Sequence, residues 1–158
     1  MTIRIGNGFD VHRFSMDPDR VLVLGGIELP GETALDGHSD ADVVSHAVAE
    51  SLLGAAGLGD LGSHFPDTDP RWAGADSIDL LTAVVAMVHD AGWSVTNVDC
   101  SVIAETPKLA PVRAEMEERL SATVGAPVTV KGRRAEQLGA LGRGEGIACL
   151  ASALLEAD

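Results

Sequence analysis

A two-layer α+β sandwich, with helices on one face of a mixed four-stranded sheet, is the fold class this sequence predicts. Three observations lead to it. Segments of β-branched and apolar residues, punctuated by glycine, recur early, midway and late in the chain, as "IRIGNGFDV", "WSVTNVDCSVIA" and "GIACLASALLEA". Between them apolar residues return at three and four positions, the period of a half-buried helix. The order strand, strand, helix, helix, strand, helix, strand, strand suits helices laid against a sheet. With 158 residues, 46% of them hydrophobic, the chain can bury a real core, and a single domain over 1–158 is expected.

Taken in order, "IRIGNGFDV" and "VLVLGGIEL" predict the first two strands, linked by a polar loop with Pro18. From Asp42 to Ala56, Val43, Val44, Ala47, Val48, Leu52 and Ala55 form a helical stripe, and Ser39 with Asp42 three residues on reads as a capping box with a shorter acid. "GLGDLGSHFPDTDPRWAGAD" is too rich in Gly, Asp and Pro for regular structure, and too long for a simple connector. A second helix is predicted from Ser77 to Ala91, ended by Gly92. "WSVTNVDCSVIA" alternates like a strand with one covered face, and "ETPKLAP" breaks it. A third helix runs from Pro111, at a first-turn position, to Val124 before Gly125. "APVTVKG" and "GIACLASALLEA" are late strands, although the Ala- and Leu-rich tail also suits a helix. The sheet's second face is left uncovered, which in a small protein points to association as a closed cyclic oligomer.

Charge narrows the function. A net charge of −13 disfavours nucleic acid and anionic membranes, which demand clustered cations. No apolar run approaches the roughly 20 residues of a membrane span, and "MTIRIGNGF" lacks the layout of a secretory signal, so a cytoplasmic protein is expected. Cys100 and Cys149 lack metal-site spacing and read as buried free thiols. A large share of the cations, Lys131, Arg133, Arg134 and Arg143, falls in "KGRRAEQLGALGRGEG", which has the glycines and Glu136 suited to phosphate and Mg²⁺ but no Walker pattern. A basic patch meeting a partner subunit is the rival reading there.

Several residues could carry chemistry. Asp10 and His12 project to one face of a strand, and His46 on the first helix could add a third ligand. Three N/O ligands with an open position suit catalytic zinc, while an Asp10–His12 ion pair is the plainer alternative. His38 and Ser39 fall where the helix begins, so an anion could meet free N–H groups there, or Ser39 could simply cap the helix. Asp60, Asp67 and Asp69 could bind sugar hydroxyls or a cation, or form a solvated acidic loop. "AETPKLAP" could present its backbone to a base, or be a connector.

The motifs "GNGFDVH", "GHSDADVVSHA", "GLGDLGSHFPDTDP", "GADS", "NVDCSVIAETPKLAP" and "GRGEGIA" stand in one order across nearly the whole chain. In this the chain resembles the 2-C-methyl-D-erythritol 2,4-cyclodiphosphate synthase family of the non-mevalonate isoprenoid pathway. The resemblance implies a homotrimeric prism with active sites between adjacent subunits, which would cover the bare sheet face. It implies that Asp10, His12 and His46 bind Zn²⁺, and that His38 and Ser39 contact phosphate, with His38 stabilising the transition state. Asp10, Val11 and His12 would border the substrate. Asp60, Leu61 and Gly62, with Phe65, Pro66, Asp67, Thr68 and Asp69, would surround the methylerythritol and the ribose. Ala104, Glu105, Thr106, Pro107, Lys108, Leu109 and Ala110 would line the cytidine pocket. Arg133, Arg134, Ala135, Glu136, Ala140 and Arg143 would face the phosphates, with Glu136 holding Mg²⁺ or Mn²⁺.

The implied reaction closes 4-diphosphocytidyl-2-C-methyl-D-erythritol 2-phosphate into a cyclic diphosphate and expels CMP. One departure from the family stands out. Where a threonine run precedes the glutamate in the family, this chain reads Arg133, Arg134, Ala135, and Arg134 takes the place of a threonine assigned to transition-state stabilisation. Either Arg134 clamps phosphate more strongly than a hydroxyl, or it fills space the phosphate needs. A zinc phosphohydrolase and an inactive trimeric binder of metal and cytidine nucleotide therefore stand as alternatives.

Overall fold

In the computed structural model, which describes residues 1–158, the two longest strands lie side by side. Strand β1 (Thr2–Arg13) pairs antiparallel with β6 (Gly146–Ala157) along its whole length, from Thr2 opposite Ala157 to Arg13 opposite Gly146. Strand β4 (Ser94–Ile103) flanks β6 on the other side, and β5 (Val128–Arg133) completes the order β1-β6-β4-β5. Only β4 and β5 are parallel. A parallel pair needs a crossover, and helix α4 (Arg113–Val124) supplies it. The tail is thus strand, not helix, because its alternate residues Ile147, Cys149, Ala151, Ala153 and Leu155 fill the core.

"VLVLGGIEL" is not one strand of this sheet. It folds into a hairpin of β2 (Leu22–Leu24) and β3 (Ile27–Leu29), a separate two-stranded sheet. Gly25 (φ 58°) and Gly26 (φ 74°) supply the two successive left-handed residues that the tightest hairpin turn requires. Leu22 and Leu24 are fully buried beneath it.

Helix α1 (Val43–Ala56) lies directly on β1. A Cβ on Gly8 would stand 1.9 Å from the Ala47 carbonyl oxygen, and one on Gly6 would stand 2.0 Å from that of Ser51. Only glycine permits this approach, which carries His46 over Asp10. The helix is buried nearly all round, because α3 (Ser77–Asp90) packs on its outer side and α4 continues the layer over β5. The helices occupy one face of the sheet, as expected. On the other, Ile3, Ile5, Phe9, Val11 and Leu150 are all at least half exposed.

Other local expectations change. Helix α1 begins at Val43 with Asp42 as its cap, so Ser39 lies outside the helix and the capping box does not form. Asp42 accepts from the amides of Val44 and Ser45, so these two N–H groups are already satisfied within the helix start. Pro111 precedes α4 by two residues rather than opening it. The Gly- and Asp-rich loop contains a short helix α2 (Leu61–His64) and a 3₁₀ turn (Pro70–Trp72), capped by Asp60 and Asp69. These aspartates offset the poor helix propensity of their neighbours by satisfying the first amides. A four-residue helix α5 (Gly139–Gly142) interrupts the late basic stretch. No helix is long and apolar enough to cross a membrane.

Candidate metal and phosphate site

At the end of β1, Asp10 and His12 share the face covered by α1, and His46 sits one turn into that helix. Asp10 Oδ2 lies 3.0 Å from His12 Nε2 and 3.0 Å from His46 Nδ1. Each side chain offers one ligand atom, all within 4.8 Å of one another. His12 Nδ1 is 2.7 Å from the Asp36 carbonyl oxygen, which only accepts, so that nitrogen carries the proton and Nε2 turns a lone pair toward the carboxylate. Two electron-rich atoms meeting at 3.0 Å call for a cation between them. In its absence a proton serves. Burial lowers the His12 pKa, but the hydrogen bond and charge of Asp10 outweigh it and hold the imidazole above its ordinary value. Burial likewise raises Asp10, yet the bonds to His12 and His46 hold it well below the usual carboxylate range. The donor set fits a metal ion with N/O preference.

Beside the triad is a cavity of about 260 Å³, lined by His12, His38, Ser39, His46, Leu61, Phe65 and Asp67, with Trp72 and Leu80. His38 Nε2 lies 3.0 Å from the Asp69 carbonyl oxygen, which ties the loop after α2 to the segment before α1. Arg20 holds that segment from behind, donating to the carbonyls of Gly37 (3.1 Å) and Ser39 (2.8 Å), the residues flanking His38. Glu50 accepts from the Leu61 amide at 2.7 Å and fixes the start of α2.

Not every expected residue points into this cavity. Val11 turns its side chain to the opposite sheet face, because strand neighbours alternate. The Asp60 carboxylate bonds to Ser63, and that of Asp69 to Arg71, so both also order the local turns. Gly62 and Thr68 are exposed and Pro66 is half-buried.

A second cavity, of about 290 Å³, lies at the ends of β4 and β5. Ala104, Glu105, Pro107, Lys108, Leu109 and Ala110 line it, with Arg113, Arg133 and Arg134. Thr106, beside it, is exposed. Four of the chain's 11 Lys and Arg residues gather here around one carboxylate, which suits an anionic ligand. Arg134 Nε is 3.3 Å from Glu105 Oε2, with its side chain 67% exposed. Glu136 (φ 52°) and Gln137 (φ 64°) adopt left-handed backbone, and both are exposed. Ala135 is half-buried, Ala140 is exposed in α5, and Arg143 pairs with Glu145 at 2.6 Å. The two cavities share no lining residue. Cys100 and Cys149 are free and buried, and the Cys100 neighbour together with burial keeps the Cys149 thiol far above its ordinary range.

Arg20, Glu50, Arg113 and Leu80 carry no sequence signal for these roles. A guanidinium bonded to backbone carbonyls leaves no pattern of residue types, whereas Trp72 could have been found as the one large aromatic closing "FPDTDPRW".

Comparison with known proteins matches this architecture. Residues 3–156 match the sequence model of the YgbB family. The 2-C-methyl-D-erythritol 2,4-cyclodiphosphate synthase of Symbiobacterium thermophilum is 52% identical over 154 residues, covering 96% of this chain and 97% of its own. Among solved structures, the bifunctional IspDF of Campylobacter jejuni superposes with a TM-score of 0.94 at 38% identity; the match covers 99% of this chain and 43% of that one. IspF of Plasmodium falciparum, solved as a CDP complex, gives 0.85 at 31% identity, with 99% and 97% of the two chains covered. By sequence over almost its full length and by fold, the chain belongs to the 2-C-methyl-D-erythritol 2,4-cyclodiphosphate synthase family of enzymes.

Proposed function

We propose that the chain, one domain over 1–158, closes 4-diphosphocytidyl-2-C-methyl-D-erythritol 2-phosphate into 2-C-methyl-D-erythritol 2,4-cyclodiphosphate with release of CMP. The observation that carries this reading is the convergence of Asp10, His12 and His46 on one point beside His38 and Ser39, in a chain of this family. An oxygen of the 2-phosphate forms a bond to the β-phosphorus, the bond from that phosphorus to the bridging oxygen breaks, and CMP leaves with the electron pair. No water is consumed and no covalent enzyme intermediate is needed. The barrier lies in folding a polyanion back on itself, so the protein's work is to neutralise and align phosphates.

Asp10, His12 and His46 hold Zn²⁺, and Glu136 holds a second divalent ion, Mg²⁺ or Mn²⁺, whose preference for oxygen ligands a carboxylate meets. When bound, these ions supply positive charge and Lewis acidity to the diphosphate. His38 and the Ser39 hydroxyl donate to phosphate oxygens, held in place by the Arg20 bonds to the Gly37 and Ser39 carbonyls. Lys108 and Arg134 bring positive charge to the nucleotide phosphates from the second cavity. The CDP complex of the Plasmodium relative supports a cytidine nucleotide as ligand.

A homotrimer completes this arrangement. The two cavities lie apart in one chain, and the exposed Ile5, Phe9, Val11 and Leu150 give the bare sheet face an apolar surface to bury between subunits. The test is incubation of the substrate with protein, zinc and magnesium, followed by phosphorus NMR. A cyclic diphosphate and CMP are expected. A linear phosphate product would make the protein a phosphohydrolase, and CMP binding without CMP release would make it a binder.

A further inference from the structure

Two motif residues are left without a role by that reading: Asp40 of "GHSDAD" and Ser77 of "GADS". They meet behind His46. Ser77 opens α3 and is buried, and its Oγ makes a short bond to Asp40 Oδ1, while its amide donates to Asp40 Oδ2 at 3.0 Å. The same Oγ is 2.8 Å from His46 Nε2. A hydroxyl has one proton and an ionised carboxylate only accepts, so the Ser77 proton points to Asp40 and Oγ accepts from Nε2–H. Ser39 Oγ, 3.2 Å from Nε2, is the longer contact and already accepts from the Ala41 amide. With Nε2 bonded to Ser77, Nδ1, 3.0 Å from Asp10 Oδ2, is the nitrogen left to exchange its proton for a metal ion.

We propose that Asp40 and Ser77 are positioning residues that act through His46, fixing its tautomer and ring orientation and polarising it so that Nδ1 becomes a stronger metal donor. This rests on the reading of Asp10, His12 and His46 as a metal centre. Such outer partners commonly decide metal affinity by about 10–100-fold. His12 has the simpler version, a single bond from Nδ1–H to the Asp36 carbonyl oxygen. At His46 the partner is charged but one hydroxyl away, so Asp40 reaches the imidazole only through Ser77.

That dependence separates a relay from a staple between helix starts. Metal-free protein is titrated with zinc against a chromophoric chelator, for wild type, Ser77→Ala, Asp40→Asn and the double variant. The relay predicts zinc binding about 10–100-fold weaker in Ser77→Ala, a clear loss in Asp40→Asn, and no additional loss when Asp40→Asn is added to Ser77→Ala. Additive losses, or a Ser77→Ala affinity equal to wild type, would overturn it. Long-range proton–nitrogen NMR of metal-free wild type at pH 8 is independent of the variants' folding. It should show a proton on His46 Nε2, and an Nε2 that carries none would overturn the relay. Wild type that takes up no zinc would instead overturn the metal reading itself.

Discussion

The triad end of the molecule and the Arg133–Gln137 segment face the same chemistry with opposite degrees of preparation. Around the triad every donor has a fixed partner: His12 Nδ1 on a carbonyl at 2.7 Å, His46 Nε2 on a hydroxyl at 2.8 Å, and both imidazoles 3.0 Å from one carboxylate oxygen. In the other region Arg134 is 67% exposed and reaches Glu105 only at 3.3 Å, while the Gln137 amide reaches the same carboxylate at 3.5 Å. The first region is built before any ligand arrives. The second has only long contacts to one carboxylate, and so the two ends should respond differently to substitution.

The sharpest break in this contrast is His46→Ala. Removing one of the three residues that could hold the metal leaves Asp10 and His12, fewer than the three protein ligands of a catalytic zinc site. We expect stoichiometric zinc and CMP release to be lost together, measured by metal analysis and phosphorus NMR on one preparation. Stoichiometric zinc in that variant would place the metal elsewhere.

Next in size is Asp42→Ala. Asp42 is fully buried and its carboxylate accepts from Gly25, Gly26, Val44 and Ser45 amides and from Ser45 Oγ, at 2.6 to 3.1 Å. It clamps the β2–β3 turn to the start of α1, one turn before His46. Orphaned buried donors cost ~1–3 kcal/mol each, so a loss of about 3 kcal/mol or more is expected, a drop of roughly 10 °C in melting temperature for a chain of this size. A melting temperature unchanged within about 2 °C would show that the triad end does not depend on this anchor.

These two sites also mark what the sequence could disclose. Asp10, His12 and His46 were legible because strand alternation and helix position together place them on one face, and because ordered motifs surround them. A mixed sheet with helices on one face was legible from periodicity, which counts five strand segments where four join the sheet. What escaped depends on contacts that leave no periodic trace. Gly25 and Gly26 turn one apparent strand into a hairpin, a choice set by backbone φ rather than by hydrophobicity. Asp42, not Ser39, caps α1, since only its carboxylate also reaches the hairpin amides across 16 and 17 residues of chain. Asp60 and Asp69, read as candidate ligands, also cap short helical turns that composition did not disclose.

A smaller effect is expected at the less prepared end. Arg134→Thr removes a charged donor from the second cavity. A charge-assisted hydrogen bond to phosphate is worth ~1.5–3 kcal/mol, so kcat/KM should fall by about ten- to a hundredfold. Stability should move little, because the Arg134 guanidinium is open to solvent and meets Glu105 only at 3.3 Å, and a solvent-screened pair contributes only ~0–1 kcal/mol. A large rise in turnover would invert the role, marking the arginine as an obstruction where a hydroxyl is wanted.

The smallest effect should appear in the metal-free protein, where Asp10 and His12 titrate as one pair. The folded state raises His12 above its ordinary 6.5, so its contribution is fully present below that pH and is lost as pH rises through the raised value. It depresses Asp10 below 3.8, so that contribution is present above 3.8 and is lost as pH falls through the depressed value. Both therefore hold together only between about 4 and 6.5, and the melting temperature without metal should decline as the solution is made more alkaline than this. Zinc reverses the trend on the alkaline side, because it binds the deprotonated imidazole and its stabilisation grows as the competing proton leaves. Melts from pH 5 to 8.5, with chelator or with zinc, should therefore diverge with rising pH. Curves that stay parallel would mean that the proton on His12 and the metal do not compete for one position, and that the triad end is prepared for something other than a cation.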